Sequence, residues 1–218
     1  MSTLWPLEHC WEKLPLGAKR LGDWVEENPV KWTPSLPWQL LDWHAEAMAQ
    51  AEARDGQECR EFDEGTLLFG AGTKVLPGVY VEGTVIVGEN CKIGPNCYLR
   101  GPISIGNNCH VGQAVELKNA ILGDGVNVGH LSYVGDSVLG PGTNFGAGTI
   151  TSNLRHDGGN HRTMVDGELV NTGRRKFGVI IGANVHTGIN TSLYPGRKIG
   201  SNATTLPGQV VDKDLPQV

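Results

Sequence analysis

The chain has 218 residues and a formal net charge of −5, with 31 glycines and only 6% aromatic residues. The acidic balance argues against a nucleic-acid-binding protein, which normally carries a basic excess, and no apolar stretch is long enough to span a membrane. Residues 1–11 lack the basic and apolar regions of a secretory signal. We therefore expect a cytoplasmic protein with one large domain and an appendage.

Residues 1–64 form the appendage, because all six tryptophans of the chain lie in its first 43 residues. The sequence predicts a short helix over 18–27 and a second helix that begins after an N-cap at Ser35 and runs through Ala53. Solenoid ends expose apolar surface, so this helical segment is predicted to cap the first coil or a neighbouring subunit, with ligand binding as the alternative. The second helix would bury a face made by Leu41, Ala45 and Met48.

A period of six residues runs through 65–211 and is typical of an all-β solenoid, a parallel β-helix of hexapeptide repeats. The repeat positions would stack into one buried column. Steps of five residues, from Leu117 to Leu122 and from Val134 to Leu139, would shorten a corner without breaking the stack. Apolar or aromatic side chains stand at Phe69, Val75, Val81, Val87, Ile93, Leu99, Ile105, Val111 and Leu117, and the period returns at Ile181, Thr187, Leu193, Ile199, Thr205 and Val211.

An insertion at about 154–178 interrupts the repeat, and residues 212–218 follow it as a tail. Thr163–Val165 and Glu168–Val170 flank Asp166–Gly167, which suits a tight hairpin turn. Loops that leave a rigid scaffold often carry function. Three cysteines fall at inward repeat positions, where we expect small buried hydrophobes and no metal or redox role: Cys91, Cys97 and Cys109.

Arg100 and Lys118 are 18 residues apart. With three hexapeptides per coil, they would stack at about the 4.7–4.9 Å spacing of neighbouring strands. Two cations so close repel unless an anion such as a sugar phosphate lies beside them. A solvated pair, partly neutralised by Glu116, is the alternative.

His130 breaks the repeat at an outward corner, close to Tyr133. Histidine is the side chain best matched to proton transfer near neutral pH, so His130 is a candidate general base; a merely exposed histidine is the alternative. The γ-class carbonic anhydrases, which are β-helix enzymes, gather three histidines around zinc, but His130 stands alone in its coil. We therefore expect no metal.

Three motifs, Val115–Asn119, Gly129–Asp136 and Asn144–Asn153, closely resemble the acetyltransferase half of bifunctional sugar-1-phosphate nucleotidylyltransferase/acetyltransferases, which make UDP-N-acetylglucosamine. The match in order and spacing covers roughly 81–211. The segments after Asn153 look most like the branch with broad sugar-1-phosphate specificity. The resemblance implies a left-handed β-helix, a homotrimer with active sites between subunits, and acetyl-CoA as cosubstrate.

For catalysis, the resemblance implies that His130 is the base and that Asn153 lies near the acetyl-CoA thioester. The backbone N–H of Ala147 would lie close to the developing oxyanion. The basic residues of the insertion, Arg174 and Arg175 first, would bind the phosphates of coenzyme A or of the sugar.

For substrate binding, the resemblance implies that Arg100 and Lys118 hold the sugar phosphate. Glu116, Tyr133 and Asn144 would surround the sugar.

The sequence departs from the relatives in two places. It lacks their nucleotidylyltransferase domain, so it looks like a free-standing acetyltransferase half. A lysine usual in the bacterial enzymes has no clear equivalent, Arg162 being the nearest basic residue. The leading hypothesis is an acetyl-CoA-dependent N-acetyltransferase acting on an amino-sugar 1-phosphate. The alternatives are an acyltransferase acting on a nucleotide-linked amino sugar, and a non-catalytic scaffold or regulatory partner of a separate nucleotidylyltransferase.

Overall fold

The computed structural model describes residues 15–16, 19–20, 38–49, 56–165 and 167–218. One helix in these ranges, α1, spans Gln39–Met48. The strands of the same ranges are β1 (Pro15–Leu16), β2 (Lys19–Arg20), β3 (Glu58–Phe62), β4 (Glu64–Phe69), β5 (Lys74–Val75), β6 (Tyr80–Val87), β7 (Lys92–Ile93), β8 (Tyr98–Ile105), β9 (His110–Gln113), β10 (Glu116–Leu122), β11 (Asn127–His130), β12 (Tyr133–Leu139), β13 (Asn144–Phe145), β14 (Ile150–Thr151), β15 (Arg162–Val165), β16 (Glu168–Asn171), β17 (Val179–Ile181), β18 (Ser192–Leu193), β19 (Arg197–Ile199) and β20 (Val210–Val211).

The predicted parallel β-helix of hexapeptide repeats is confirmed. Successive coils pair in parallel register, and the repeat side chains form one buried column in which Val75 alone among the predicted positions is only partly covered. Both five-residue steps keep their inward residues buried, since Leu122 and Leu139 are inaccessible. The shortened corners contain Asn119 and Asp136, each with a positive φ, of 45° and 50°.

Each coil presents three faces. Two of these faces meet within β12. Its first half pairs with β14, through Tyr133 and Ile150, and its second half pairs with β17, through Val138 and Ile180. The open face consists of 80–82, 98–100, 116–118, 133–135, 150–152, 192–194 and 210–212. The covered face consists of 67–69, 85–87, 103–105, 120–122, 137–139, 179–181 and 197–199. The third face consists of β5, β7, β9, β11 and β13.

Among the described residues, a strand closes the first coil, and the predicted helical cap stays a prediction. β3 lies antiparallel to β4, with Glu58 opposite Phe69, and so shields the edge of the first coil. The helix predicted over 18–27 is wrong at Lys19–Arg20, which pair with Pro15–Leu16 as a strand. The remainder of that helix, and the N-cap at Ser35, lie outside the described residues.

Helix α1 lies along the flank of the solenoid. His44 Nε2 lies 2.9 Å from Ser104 Oγ, and Met48 packs against Leu68 and Ile86 on the covered face. The predicted buried face is wrong at Ala45, which is exposed. At about 100° per residue the helix instead presents a stripe in which Leu40 and Leu41 flank His44 and Met48. That stripe is buried: Leu40, Leu41, His44 and Met48.

We call this face covered because its outward side chains are buried. These residues pair in register from coil to coil. Outward residues of a solenoid normally meet solvent, but here they are apolar or small over most of the row, and α1 and the insertion bury them. The row consists of Leu68, Ile86, Ser104, Ile121, Val138, Ile180 and Lys198, all at most 5% exposed.

The insertion forms the predicted hairpin, β15 with β16, in which Val165 pairs with Glu168. Its base is closed by an antiparallel bridge between Leu154 and Lys176. On the covered face, Lys198 Nζ donates to the carbonyl of Met164, at 2.7 Å. The tail continues the stack beyond Val211, because Leu215 pairs with Ile199.

Candidate active site

The open face carries the cation pair that the spacing predicted. Arg100 pairs in register with Lys118 on the next strand, and Glu82 pairs with Arg100 on the preceding one. Strand spacing fixes these side chains at steps of about 4.8 Å. A row of charged side chains therefore runs along the face, in which Glu82 is followed by the two cations Arg100 and Lys118.

Arg100 is held by its neighbours on three sides. It donates from Nη1 to Glu116 Oε1 at 3.0 Å, and its guanidinium lies 5.4 Å from the centre of the Tyr98 ring. The hydrogen bond with Glu116 raises the pKa of Arg100. Its Nε lies 3.6 Å from Glu82 Oε2, too far for a hydrogen bond, so this buried N–H has no acceptor among the described residues.

Glu82 is held from the other side by the Tyr98 hydroxyl, which donates to its carboxylate. That bond raises the pKa of Tyr98. Neither Glu82 nor Tyr98 was among the predicted site residues. The 18-residue spacing from Glu82 to Arg100 and from Tyr98 to Glu116, the same signal that paired Arg100 with Lys118, would have found them.

A second network surrounds Asp136, whose side chain is buried at the shortened corner. Lys118 Nζ lies 3.4 Å from Asp136 Oδ2, and Asn119 Nδ2 donates to Oδ1 at 2.9 Å. Asn153 Nδ2 donates to Asp136 Oδ2 at 2.7 Å and to the Tyr133 hydroxyl at 2.9 Å. Burial raises the pKa of Tyr133, and the nearby charge of Asp136 raises it further. Asp136 was missed as a site residue, because nothing in the repeat predicts which way a corner carboxylate points.

Asn153 is also held through its backbone, at the point where the insertion leaves the solenoid. Its carbonyl accepts from the N–H of Phe177 at 3.0 Å and lies 3.2 Å from His161 Nε2. Burial lowers the pKa of His161, which favours its neutral form. Because Asp136 and Tyr133 occupy both amide hydrogens of Asn153, its side-chain carbonyl is the group left to accept a further hydrogen bond.

His130 lies at the corner between the third face and the open face, and its side chain is exposed. Its carbonyl accepts from Ser132 Oγ at 2.8 Å and from the N–H of Gly148 at 3.3 Å. The register of β11 with β13 puts Ala147 one strand along the same corner. The backbone at this corner is therefore fixed while the imidazole remains accessible.

Asn144 does not join the open face. It lies on the third face, where Asn127 Nδ2 donates to its Oδ1 at 2.9 Å. Within one chain its strand belongs to a different sheet from those of Glu116 and Tyr133, and its place around the sugar stays a prediction. The same face carries His110, whose pKa is lowered by burial and then by the charges of Lys92 and His130.

Arg174 and Arg175 point to different places. Arg174 forms an ion pair with Asp42 of α1 and donates from Nε to the carbonyl of Lys176, so it joins the insertion to the helix on the covered side. Arg175 is exposed and lies close to Gly158, within the insertion.

Among the described residues, no three His, Cys, Asp or Glu side chains come together as metal ligands would. In those same ranges no helix has both the length and the apolar character needed to cross a membrane. Cys91, Cys97 and Cys109 are buried inside the solenoid, as predicted.

The fold and the motifs define a family. The chain belongs to the family described as the GMPPB C-terminal domain, whose model matches residues 75–193, more than half of the sequence. This confirms the relationship that the three motifs indicated.

Two proteins similar to this chain are named as bifunctional. The chain is 37% identical over 182 residues to the bifunctional sugar-1-phosphate nucleotidylyltransferase/acetyltransferase of Sulfurisphaera tokodaii, covering 82% of this chain and 45% of that one. It is 33% identical over 227 residues to the bifunctional protein GlmU of Methanococcus aeolicus, covering 99% and 54%. Among solved structures, the polySia-specific acetyltransferase NeuO matches with 18% identity and a TM-score of 0.34 over 72% of this chain and 81% of that one. The chain spans about half the length of the Sulfurisphaera tokodaii and Methanococcus aeolicus relatives.

Proposed function

We propose that this chain is a cytoplasmic enzyme that transfers an acetyl group from acetyl-CoA to the amino group of an amino-sugar 1-phosphate, such as glucosamine or galactosamine 1-phosphate. Its relatives are named as a nucleotidylyltransferase/acetyltransferase and as GlmU. The observation that carries the proposal is the open face, where Arg100 stacks on Lys118 beside the hydrogen-bonded pair of Tyr133 and Asn153.

The phosphate is assigned to Arg100 and Lys118. Two cations face three carboxylates in this cluster, so the phosphate has to replace a carboxylate contact to bind. The weakest contact is that of Arg100 Nε with Glu82, at 3.6 Å. A phosphate oxygen that accepts from this buried N–H satisfies it, and a guanidinium suits that geometry.

The role of general base is assigned to His130. An amine that attacks a thioester carbonyl must lose a proton, and a neutral imidazole within hydrogen-bond reach accelerates that step by roughly 10² to 10⁴. His130 is exposed, at the corner that borders the open face. The reaction needs no covalent enzyme intermediate, because amine and thioester held together react directly.

The acetyl group is assigned to the space between Asn153 and Ala147. The side-chain carbonyl of Asn153 can accept from the reacting amine or from an amide of the pantetheine arm. The Ala147 backbone N–H, one strand along from His130, is the oxyanion donor in this scheme.

We further propose that the enzyme is a homotrimer. Asn144 and His130 lie on or beside the third face, so the third face of one copy packed against the open face of the next would complete the site. Exposed apolar side chains along the open face and its corner with the third face favour such an interface. They are Leu131, Ile189, Leu206 and Val210, between 53% and 74% exposed.

A sugar phosphate is favoured over a nucleotide-linked sugar by the charges beyond Glu82. The acidic side chains of Asp63, Glu64 and Glu82 raise the pKa of Tyr80, after the effect of its own burial. A second phosphate extending from Arg100 towards Tyr80 would meet these carboxylates and be repelled.

The test is release of free thiol from acetyl-CoA with glucosamine 1-phosphate or galactosamine 1-phosphate as acceptor. We expect turnover by the native chain, and in His130→Ala a fall in kcat by roughly 10² or more with KM little changed.

His186→Ala is the matched control, because His186 is an exposed histidine on a later coil. It should retain native turnover. The mechanism is wrong if His130→Ala turns over at the native rate. The substrate assignment is wrong if only nucleotide-linked amino sugars are acetylated, and no turnover with either class would contradict the enzyme proposal.

A further inference from the structure

A cavity of about 410 Å³ opens on the solenoid beyond Asn153. It lies between the start of the insertion and a later coil. Its volume is in the range of small-molecule sites, which run from about 300 to 1,000 Å³. The lining residues are Ser152, Leu154, Arg155, His156, Asp157, Tyr194 and Pro195.

Register gives the position of the cavity along the open face. Lys118 pairs with Gly135, Tyr133 pairs with Ile150, and Thr151 pairs with Leu193. Tyr194 therefore stands three strands from Lys118 in the same outward row. At roughly 4.8 Å per strand that is about 14 Å, too far for one phosphate to contact both.

The walls of the cavity are apolar and aromatic. Tyr194 is 52% exposed and Leu154 is 38% exposed, although both are large apolar side chains. A tyrosine ring with an accessible face stacks on flat heteroaromatic groups, as in single-strand nucleic-acid sites. Leu154 and Pro195 supply the aliphatic surface that such a ring also needs.

One end of the cavity carries an Arg–Asp ion pair with a second arginine close by. Arg155 donates from Nε to Asp157 Oδ1 at 2.9 Å and uses Nη2 for the other oxygen, which lowers the pKa of Asp157 and leaves guanidinium donors unused. Arg175 lies close to Gly158 at the same turn, and His156 lines the cavity. Guanidinium groups are well suited to phosphate.

We propose that this cavity binds the nucleoside phosphate part of a ligand, with the base stacked on Tyr194 and the phosphates at Arg155 and Arg175. Two sources supply this chemistry: the nucleotide end of acetyl-CoA, or the nucleotide of a nucleotide-linked sugar. In the first case the proposal rests on the proposed acetyl transfer, and in either case nucleotide binding is measurable without turnover.

Calorimetry on the full chain with 3′,5′-ADP and, separately, with UDP distinguishes the sources. Tyr194→Ala should weaken binding of whichever nucleotide binds, by about fivefold or more, the size of one lost stacking contact. Tyr194→Phe should restore it, because the ring is kept. Tyr80→Ala is the matched control, an exposed tyrosine of the same face at its opposite end, and should bind as the native chain does.

Arg155→Ala separates phosphate from base recognition. It should weaken 3′,5′-ADP or UDP about tenfold while leaving the corresponding free nucleoside unchanged. Thermal melting of each variant identifies loss of fold.

The proposal is overturned if neither nucleotide binds, or if folded Tyr194→Ala binds as tightly as the native chain. If the chain turns over and Tyr194→Ala binds the nucleotide as tightly as the native chain, only the nucleotide site is contradicted. Nucleotide binding that depends on Tyr194 in a chain without turnover contradicts the proposed function alone.

Discussion

The open face and the covered face share four strands, β6, β8, β10 and β12, yet their outward residues differ in character. On the covered face the outward row is mostly apolar and lies beneath α1 and the insertion. On the open face it is a row of charged and aromatic side chains that bond to one another. The inward column is common to both. The repeat therefore determines the scaffold. The outward row of the covered face contributes to stability, and the outward row of the open face forms the candidate site.

The largest contrast in stability is expected between two isoleucines. Ile121 is 1% exposed on the covered face, and Ile150 is 42% exposed on the open face. Ile121→Ala should lower the free energy of unfolding by roughly 2–5 kcal/mol, because it leaves a cavity beneath the covering segments. Ile150→Ala should cost less than about 1 kcal/mol in the same urea titration. Equal losses would mean that α1 does not cover this face in solution.

Asp136→Asn probes the corner where the two faces meet. Asparagine tolerates the positive φ of this residue, so the change removes charge and sets an amide against the donors of Asn119 and Asn153. We expect a loss of about 1–3 kcal/mol from the broken pairing. We also expect a fall in kcat for acetyl transfer, because Asn153 loses its anchor.

Asp212→Asn is the control for Asp136, as an exposed aspartate further along the open face. It should change neither the free energy of unfolding nor kcat. A folded Asp136→Asn variant with native kcat would show that Asn153 needs no anchor.

His44 gives the covered face a pH dependence. Burial lowers its pKa to about 3, so the folded chain keeps it neutral while the unfolded chain protonates it near pH 6.5. Below pH 6.5 the unfolded state therefore binds the extra proton, and stability falls with decreasing pH until about pH 3.

The measurement for His44 is the free energy of unfolding at pH 7 and at pH 5. The native chain should lose about 2 kcal/mol more over this interval than His44→Gln. His186→Gln, which alters an exposed histidine, should follow the native chain. Equal losses in the native chain and His44→Gln would mean that His44 is accessible to protons in the folded state.

Much of this molecule is predictable because a solenoid converts sequence spacing directly into distance. The six-residue period predicts the inward column, and the 18-residue spacing predicts that Arg100 stacks on Lys118. The hairpin turn at Gly167 follows from local turn chemistry. These features depend on contacts between neighbours in the repeat, so a single sequence is enough.

Features that depend on long-range packing escape such reasoning. Nothing local to α1 indicates that it lies along a flank, or that His44 belongs to its buried stripe and Ala45 does not. The ion pair of Arg174 with Asp42 joins residues far apart in the chain, so no local pattern predicts it. The roles given to His130, Asn153 and the other site residues stay predictions.

The corner between the open and covered faces has one further consequence. Six-residue steps, the five-residue steps at Asn119 and Asp136, and the insertion that leaves at Leu154 and returns at Lys176 all pass through this corner and differ in length there. The inward column resumes its phase after each change, so the corner tolerates deletion and insertion without propagating a shift. A designer who wishes to alter substrate choice in this scaffold can therefore edit chain length here, beside Asp136 and Asn153, and leave the stacking of the coils intact.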